Sequence, residues 1–171
     1  CLLWAHQWAL YGTTEASMSL AVDISAELQQ SKTPDASLPP LLGVPTSPDV
    51  GVWLLDEQLR PVPGGEVGGL FLSGPQLFDC YVGMKELTRE KLVDAELEVA
   101  GRPRRLRVYG TGDLAVRSAD GSLILKGRSD RQVKGRGNTV HLGDIDAHLL
   151  QSRDVTQAVS VLSGDRVVYP S

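Results

Sequence analysis

Short apolar runs, separated by turn-forming residues, dominate the hydropathy pattern of this chain and predict a series of β-strands. The predicted strands cover residues 4–11, 50–55, 70–72, 106–109 and 114–117. The first run is apolar and aromatic, so we expect that strand to be buried. Residues 110–113 are rich in glycine and are expected to form a loop. The pair Asp120-Gly121 predicts a tight hairpin that returns through residues 123–125.

Helical periodicity is weak and is confined to two short stretches. Residues 85–92 carry a broken apolar stripe, which predicts a short amphipathic helix. Asp144 is placed to cap a second helix, in which Ile145 and Leu149 share a face. A hairpin around residues 163–165, joining the runs 158–162 and 167–169, completes the pattern. The end of the chain therefore indicates a small α+β unit.

Two polar stretches interrupt these elements. Residues 25–40 are rich in Ser, Pro and Gln and are expected to form an exposed loop. Residues 127–137 are basic and contain glycines, and we expect a flexible joint there. The predicted fold is α+β and β-rich, with a body over residues 1–129 and a smaller unit over residues 130–171.

Composition and charge exclude several classes of protein. The 171 residues are enough for the core of one ordinary domain. A net charge of -4 gives no electrostatic footprint for nucleic acid. No apolar run approaches the roughly 20 residues that span a bilayer, and the first residues do not resemble a signal peptide. We therefore expect neither a nucleic-acid nor a membrane partner.

The cysteines and histidines suggest no metal cage built by this chain alone. Cys1 and Cys80 lack C-x-x-C spacing, so we expect free thiols, as is typical of a reducing compartment such as the cytoplasm. The three histidines stand without the cysteine or carboxylate spacing of a zinc site.

Five short motifs follow one another along the chain and contain the groups that a nucleotide site needs. They are residues 11–15 (YGTTE), 65–74 (GEVGGLFLSG), 109–113 (YGTGD), 127–134 (GRSDRQVK) and 137–146 (GNTVHLGDID). Phosphate oxygens need hydroxyl and amide donors, whereas Mg²⁺ and the ribose hydroxyls need carboxylates. The motifs supply both kinds of group.

In this order the motifs resemble those of the AMP-forming adenylating enzymes, a family of acyl-CoA synthetases, luciferases and peptide-synthetase adenylation domains. They match Y-G-x-T-E, G-E-x-G-E-L-x-x-x-G, Y-x-T-G-D, G-R-x-D-x-x-x-K and G-x-x-I-x-x-x-E-I-E. The resemblance implies that residues 1–129 are the C-terminal part of the large adenylating domain. Residues 130–171 would then begin the small C-terminal domain.

The resemblance also implies roles for single residues in binding ATP or AMP. Thr14 would contact the α-phosphate and Glu15 would bind Mg²⁺, and these two are the implied catalytic residues. Gly12 and Thr13 belong to the same nucleotide-binding turn. Tyr11 would stack on adenine. In the third and fourth motifs, Asp113 would accept the ribose hydroxyls and Arg128 would add a ribose or phosphate contact.

Two further residues are implied to act in a second half-reaction. Asp130 matches the hinge about which the small domain turns, and Lys134 would approach the thiol of CoA or of a phosphopantetheine. The implied reaction joins a small carboxylic acid to AMP and then to that thiol, with a carrier protein as a candidate partner.

The chain also departs from the family pattern. Gly110 replaces a basic residue and Gly69 replaces a glutamate, while Asp144 and Asp146 stand for glutamates. The family's phosphate loop would precede residue 11 and its catalytic lysine would follow residue 171. Both ends of the sequence look cut, so we expect a piece of a larger enzyme that is inactive alone.

The branch of the family is less closely defined. Residues 43–56 and 61–65 resemble peptide synthetases, whereas residues 167–169 and the G-T-T-E form resemble β-alanine-activating, aminoadipate-semialdehyde-dehydrogenase-like proteins. Both branches imply an amino acid or small carboxylate as substrate.

Plainer interpretations stay open beside the enzymatic one. Taken singly, the first and third motifs are turns with a solvated Glu15 and a self-bonding Asp113, and the basic run 128–136 is a solvated loop. One alternative is therefore a catalytically inactive nucleotide-binding or interaction module from a truncated gene. Another is a β-rich structural domain with coincidental motifs.

Overall fold

A computed structural model describes residues 6–25, 41–129, 132–135, 138–152, 155, 158, 160–163 and 166–168. The chain divides into two compact units, Cys1–Gly127 and Arg128–Ser171. Strands far outnumber helices among the described residues. This content confirms the predicted β-rich α+β class.

The first unit is built from antiparallel strands and one short helix. Its described elements are β1 (Trp8–Thr13), β2 (Ser17–Asp23), β3 (Val44–Pro45), β4 (Gly51–Leu55), β5 (Val67–Ser73), α1 (Lys85–Lys91), β6 (Leu92–Val99), β7 (Arg102–Arg117) and β8 (Leu123–Arg128). Strands β1, β2 and β3 form one sheet in that order. Strands β4, β5, β7 and β6 form a second sheet, and β8 also pairs with β7.

The core joins the β1–β2 hairpin to the larger sheet. Leu70 and Leu72 lie two positions apart on β5, so their side chains point to the same face, and both are fully buried. Leu70 packs in a cluster with Leu20 of β2, and Leu72 packs in a second cluster with Ala16 of the hairpin turn. Burying each leucine contributes about 1.5–3 kcal/mol, and this burial fixes the hairpin on the sheet.

Several predicted strands are confirmed. Strands β4 and β5 contain the predicted runs 50–55 and 70–72, apart from the first residue of the former. The turn at Asp120-Gly121 joins β7 to β8, and the Ser118 amide donates to the Ser122 carbonyl at 2.9 Å. Local turn chemistry was sufficient to predict this hairpin.

The first predicted strand is exposed where we expected it to be buried. Strand β1 begins at Trp8, and Trp8 and Leu10 are 57% and 56% exposed. Trp8 and Leu10 alternate with the half-buried Ala9 and Tyr11, so only one face of β1 packs against the core. Residues 4 and 5 of the predicted strand lie outside the described residues, and residues 6 and 7 belong to no strand.

The predicted loop at residues 110–113 is wrong. Strand β7 runs without a break from Arg102 to Arg117 and so contains these four residues. Its first half pairs with β6 and its second half pairs with β5. The two glycines lie in a β-bulge within the strand.

Helix α1 lies where it was predicted, although none of its residues is fully buried, so its amphipathic character is slight. Its sequence, KELTREK, offers Leu87 alone as an apolar side chain, and Leu87 is half-buried. The predicted polar loop covers residues 25–40, and all of it after Ser25 lies outside the described residues.

The second unit contains two small hairpins and a helix. Its described elements are β9 (Gln132–Gly135), β10 (Asn138–His141), α2 (Leu142–Leu149), β11 (Val161–Ser163) and β12 (Arg166–Val168). Strand β9 pairs with β10, and β11 pairs with β12. The second pair confirms the predicted hairpin, with Ser163 in a strand and not in the turn.

Two predictions in the second unit need correction. Asp144 lies inside α2, because the helix begins at Leu142 directly after β10, so Asp144 is not its N-terminal cap. Residues 132–135 form a strand in the stretch expected to be a flexible joint. Residues 130–131 and 136–137 of that stretch lie outside the described residues.

Candidate nucleotide site

The first motif forms the end of β1 and the turn into β2. Tyr11 pairs with Leu20, but Gly12 pairs with Met18, so β2 carries one extra residue, Ser19, as a bulge. A Cβ atom at Gly12 would lie 2.7 Å from the Ser17 carbonyl carbon and 2.8 Å from the Met18 Cα. Only glycine fits there without moving the backbone of β2.

The turn itself presents Thr14 and Glu15. The Ala16 amide donates to the Thr13 carbonyl at 3.2 Å, and Ser17 follows with a positive φ of 53°. This is the geometry of a three-residue hairpin loop, in which a left-handed residue returns the chain to the strand. Thr14 is exposed and Glu15 is half-buried.

The third motif is a bulge within β7. Gly69 pairs with Leu114 and Phe71 pairs with Gly110, so one residue of β5 faces three of β7. The Thr111 hydroxyl donates to the Leu70 carbonyl at 2.9 Å and accepts from the Asp113 amide at 3.1 Å. These bonds occupy backbone groups that the bulge removes from the regular ladder.

The bulge also determines where the Asp113 carboxylate lies. Gly112 has a positive φ of 80°, a conformation that glycine adopts at little cost. A bulge re-aims the side chains that follow it, and the Asp113 side chain is almost buried, with 7% of its surface exposed.

Tyr11 and Asp113 meet although 102 positions separate them. The Tyr11 hydroxyl donates a short hydrogen bond to Asp113 Oδ2. Tyr11 is half-buried, and its ring packs against the leucine clusters of the core. The first and third motifs therefore converge on one place, next to the turn that carries Gly12, Thr13, Thr14 and Glu15.

Glu15 has hydrogen-bond donors that the motif did not predict. The Tyr81 hydroxyl donates to Glu15 Oε1 at 2.7 Å. Partial burial raises the pKa of Glu15, but hydrogen bonds from Tyr81 and from its own backbone amide outweigh that effect, with help from Tyr109 and Thr13. The pKa therefore lies below its ordinary value, and Glu15 is a carboxylate at neutral pH.

The two tyrosines remain protonated donors. Burial, followed by the hydrogen bond to Glu15, raises the pKa of Tyr81. Burial and then the charge of Glu15 raise the pKa of Tyr109. The ring of Phe78 lies 4.7 Å from that of Tyr81 and 5.8 Å from that of Tyr109, measured between centroids. The three aromatic side chains thus form one cluster beside the Glu15 carboxylate.

The oxygen atoms at the turn are of the kind that bind Mg²⁺, which would enter together with a nucleotide. Within the described residues there is no cluster of three or more His, Cys, Asp or Glu side chains that would cage a metal. Mg²⁺ bound to nucleotides commonly uses one or two carboxylates, with phosphate and water completing its shell. Thr13 Oγ1 is buried and makes no well-aligned hydrogen bond in the described structure, yet it lies close enough to help lower the Glu15 pKa.

A cleft of about 350 Å³ opens at the turn and is lined by Gly12, Thr13, Thr14, Ser17 and Met18. A larger apolar cleft of about 440 Å³ lies at Trp8, Val44 and Gly121. The larger cleft contains none of the predicted site residues. The chemistry of the motifs therefore points to the smaller one.

The remaining predicted residues lie in the second unit. Arg128 ends β8, and Lys134 lies on β9 opposite Thr139. Asp130 lies outside the described residues. The structure thus brings Tyr11 and Asp113 together beside the Gly12–Glu15 turn. The roles assigned to these residues, and to Arg128, Lys134 and Asp130, stay predictions.

Comparison with known proteins agrees with this geometry. The sequence pattern of a family described as AMP-binding enzyme matches residues 4–82. Novobiocin biosynthesis protein H of Streptomyces niveus is 42% identical over 123 residues, which are 72% of this chain and 20% of that protein. Tyrocidine synthase 3 of Brevibacillus parabrevis is 34% identical over 163 residues, which are 93% of this chain and 2% of that protein.

Solved structures give the same result. The crystal structure of IdnL1 superimposes with a TM-score of 0.75 and 29% identity, over 96% of this chain and 32% of IdnL1. A four-domain nonribosomal peptide synthetase, holo-AB3403 bound to AMP and glycine, superimposes with a TM-score of 0.56 and 32% identity, over 95% of this chain and 12% of that one.

The chain belongs to the AMP-binding enzyme family, as its motifs indicated. Within that family its relatives are adenylation domains of peptide synthetases. The chain spans a fifth or less of the length of the two curated relatives named above. The narrower likeness to β-alanine-activating proteins stays a prediction.

Proposed function

We propose that this chain is part of an enzyme that activates a carboxylic acid, an amino acid by class, as its adenylate and then transfers it to a thiol. The observation that supports this most directly is the contact between Tyr11 and Asp113. It unites two nucleotide motifs that are far apart in sequence, beside a turn with phosphate-binding chemistry.

In the first half-reaction an oxygen of the acid attacks the α-phosphorus of ATP, and the bond to the β-phosphate oxygen breaks, which releases pyrophosphate. The Thr14 hydroxyl, exposed at the turn, donates to an α-phosphate oxygen as negative charge develops there. Glu15 would hold Mg²⁺, which would supply positive charge to neutralise the phosphates. The ionised state of Glu15 at neutral pH suits this role.

Asp113 binds the ribose in this proposal. A carboxylate has two acceptor oxygens, enough for both ribose hydroxyls. Tyr11 already donates to Oδ2, so the tyrosine keeps the carboxylate in place while its ring offers a face to adenine. The low exposure of Asp113 strengthens its hydrogen bonds, because little water competes for them.

In the second half-reaction a thiol sulfur attacks the acyl carbon and AMP leaves. Lys134 and the hinge at Asp130 are assigned to this stage by their motifs, whereas Arg128 would contact the ribose or a phosphate. We favour a phosphopantetheine on a carrier protein over free CoA, because one structural relative is an adenylation domain of a Klebsiella oxytoca peptide synthetase, solved as an artificial fusion with a PCP domain. A cytoplasmic location accords with ATP as substrate and with the exposed free thiol of Cys80.

Replacing Asp113 tests the proposal. In the native polypeptide that carries this sequence, we expect Asp113→Ala to lower amino-acid-dependent ATP–pyrophosphate exchange by about 10- to 100-fold, the effect of losing hydrogen bonds to a charged group. Asp94→Ala is the matched control, because Asp94 is exposed on β6 and pairs with Arg105. Circular dichroism establishes that both variants fold.

Unchanged exchange in a folded Asp113→Ala variant would contradict the site. A wild-type polypeptide that binds ATP by calorimetry but exchanges no pyrophosphate with any amino acid would instead support the alternative of an inactive nucleotide-binding module.

A further inference from the structure

The segment 78–81 is fixed by its neighbours. The Tyr81 amide donates to the Thr88 hydroxyl of α1 at 3.0 Å. The Arg107 guanidinium of β7 donates to the Asp79 carbonyl at 2.7 Å. The segment is therefore tied both to the helix and to the central strand of the larger sheet.

The same segment holds the tip of the β1–β2 hairpin by two hydrogen bonds to one residue. The Phe78 amide donates to the Glu15 carbonyl at 2.8 Å. The Tyr81 hydroxyl donates to Glu15 Oε1 at 2.7 Å. The first bond fixes the main chain of Glu15 and the second fixes its carboxylate, so one segment holds both.

Packing keeps the Tyr81 hydroxyl in place. The Phe78 ring packs against the Tyr81 ring, with 4.7 Å between their centroids, and is edge-on to the Tyr109 ring. Aromatic pairs in this arrangement favour a defined ring orientation. Without such support a glutamate at the tip of a short turn would populate several rotamers, and ordering it on cation binding would cost free energy.

We propose that Tyr81 is a positioning residue, whose hydroxyl orients the Glu15 carboxylate for the Mg²⁺ ion that accompanies ATP. The inference rests on the proposed function, because it takes Glu15 as the metal ligand. Partners of a ligating carboxylate fix its orientation and so raise metal affinity. Tyr81 acts through Glu15 in this scheme and contacts neither the reacting oxygen nor the α-phosphorus.

Tyr81→Phe in the native polypeptide tests the inference, because it removes the hydroxyl and retains the ring. We expect the Mg²⁺ concentration for half-maximal pyrophosphate exchange to rise roughly tenfold, the lower end for loss of such a partner. The KM for the amino acid should stay unchanged. Mn²⁺ binding in the presence of ATP, followed by electron paramagnetic resonance, should weaken by the same factor and gives a readout independent of turnover.

Trp53→Phe is the control for a general loss of stability. It removes a half-buried hydrogen bond of the larger sheet, which Trp53 Nε1 donates to Ser73 Oγ at 2.9 Å. This bond lies outside the candidate site. The substitution should leave the Mg²⁺ dependence unchanged. An equal shift in Trp53→Phe and Tyr81→Phe would overturn the inference, since a structural defect would then explain both.

Glu15→Gln separates the inference from the proposed function. The inference is supported if Glu15→Gln raises the Mg²⁺ concentration for half-maximal exchange and the Glu15→Gln, Tyr81→Phe double variant raises it no further. If Glu15→Gln raises that Mg²⁺ concentration but Tyr81→Phe leaves it unchanged, the inference about Tyr81 is overturned and the proposed function still stands. If Glu15→Gln leaves that Mg²⁺ concentration unchanged, Glu15 is not the metal ligand and the inference about Tyr81 fails with it. The Asp113→Ala experiment then still decides whether this is a nucleotide site.

Discussion

At the scale of single residues, Gly12 shows why a short motif has the composition it has. We expect Gly12→Ala to destabilise the fold by about 1–3 kcal/mol, the usual effect of forcing extra atoms into a packed site. The new methyl group would collide with backbone atoms of Ser17 and Met18, which cannot rotate away as a side chain would. Urea unfolding followed by circular dichroism measures the change.

Gly64→Ala is the matched control for this prediction. A Cβ atom there would meet no other atom within 4 Å, so the free energy of unfolding should change by less than about 0.5 kcal/mol, as for most surface substitutions. Equal effects of the two substitutions would show that the close approach of β1 and β2 at Gly12 is not what demands glycine.

Residues of the candidate site were predictable only where a local motif carries them. Tyr11, Glu15 and Asp113 were selected from the sequence because their neighbours complete recognisable motifs. Tyr81 was missed, since its partner Glu15 lies 66 positions away and nothing in the sequence around residue 81 marks a nucleotide site. Contacts across such distances follow from packing, which a local pattern does not encode.

At the scale of elements, the bulge in β7 depends on one hydroxyl. We expect Thr111→Val to destabilise the fold by about 1–3 kcal/mol, because the Leu70 carbonyl and the Asp113 amide both lose their bond to Thr111 Oγ1 in a buried place. Thr111→Ser retains the hydroxyl and should recover most of that loss. Thermal unfolding of the two variants measures the difference, and equal melting temperatures would contradict the role of the hydroxyl.

The same bulge explains why a strand was mistaken for a loop. Glycine at 110 and 112 and aspartate at 113 are typical turn residues, and the bond that keeps them in the strand reaches 41 positions back to Leu70. Two of the four departures from the family pattern, Gly69 and Gly110, meet here as well. Cβ atoms built on Gly69 and Gly110 would lie 3.1 and 3.0 Å from the Phe71 ring, so Phe71 occupies the space that a glutamate and a basic residue would need.

At the scale of the whole molecule, the sequence predicted the family and some hairpins but not the order of the strands in the sheets. The hairpin turns at residues 118–122 and 163–165 were predicted, whereas β6 and its tight hairpin with β7 were not. The pairing of β5 with the second half of β7, from Leu72 with Tyr109 to Val67 with Val116, joins residues 37 to 49 positions apart and was not predicted either. The family was accessible because five motifs keep their order. The chain covers 32% of IdnL1 and 20% of novobiocin biosynthesis protein H, so we expect activity to need more of the native polypeptide.

We therefore expect residues 1–171 prepared alone to give no pyrophosphate exchange above a blank. The family's phosphate loop and catalytic lysine have no counterpart in this sequence, and losing even one electrostatic donor to a transition state typically slows a reaction by about 10²–10³-fold. Peptide mapping of the native polypeptide by mass spectrometry defines its ends, and the same exchange assay on it is the control. Measurable exchange by residues 1–171 would mean that Thr14, Glu15 and Asp113 suffice for the chemistry. A native polypeptide with these same ends that binds ATP without exchange would instead make nucleotide binding its function.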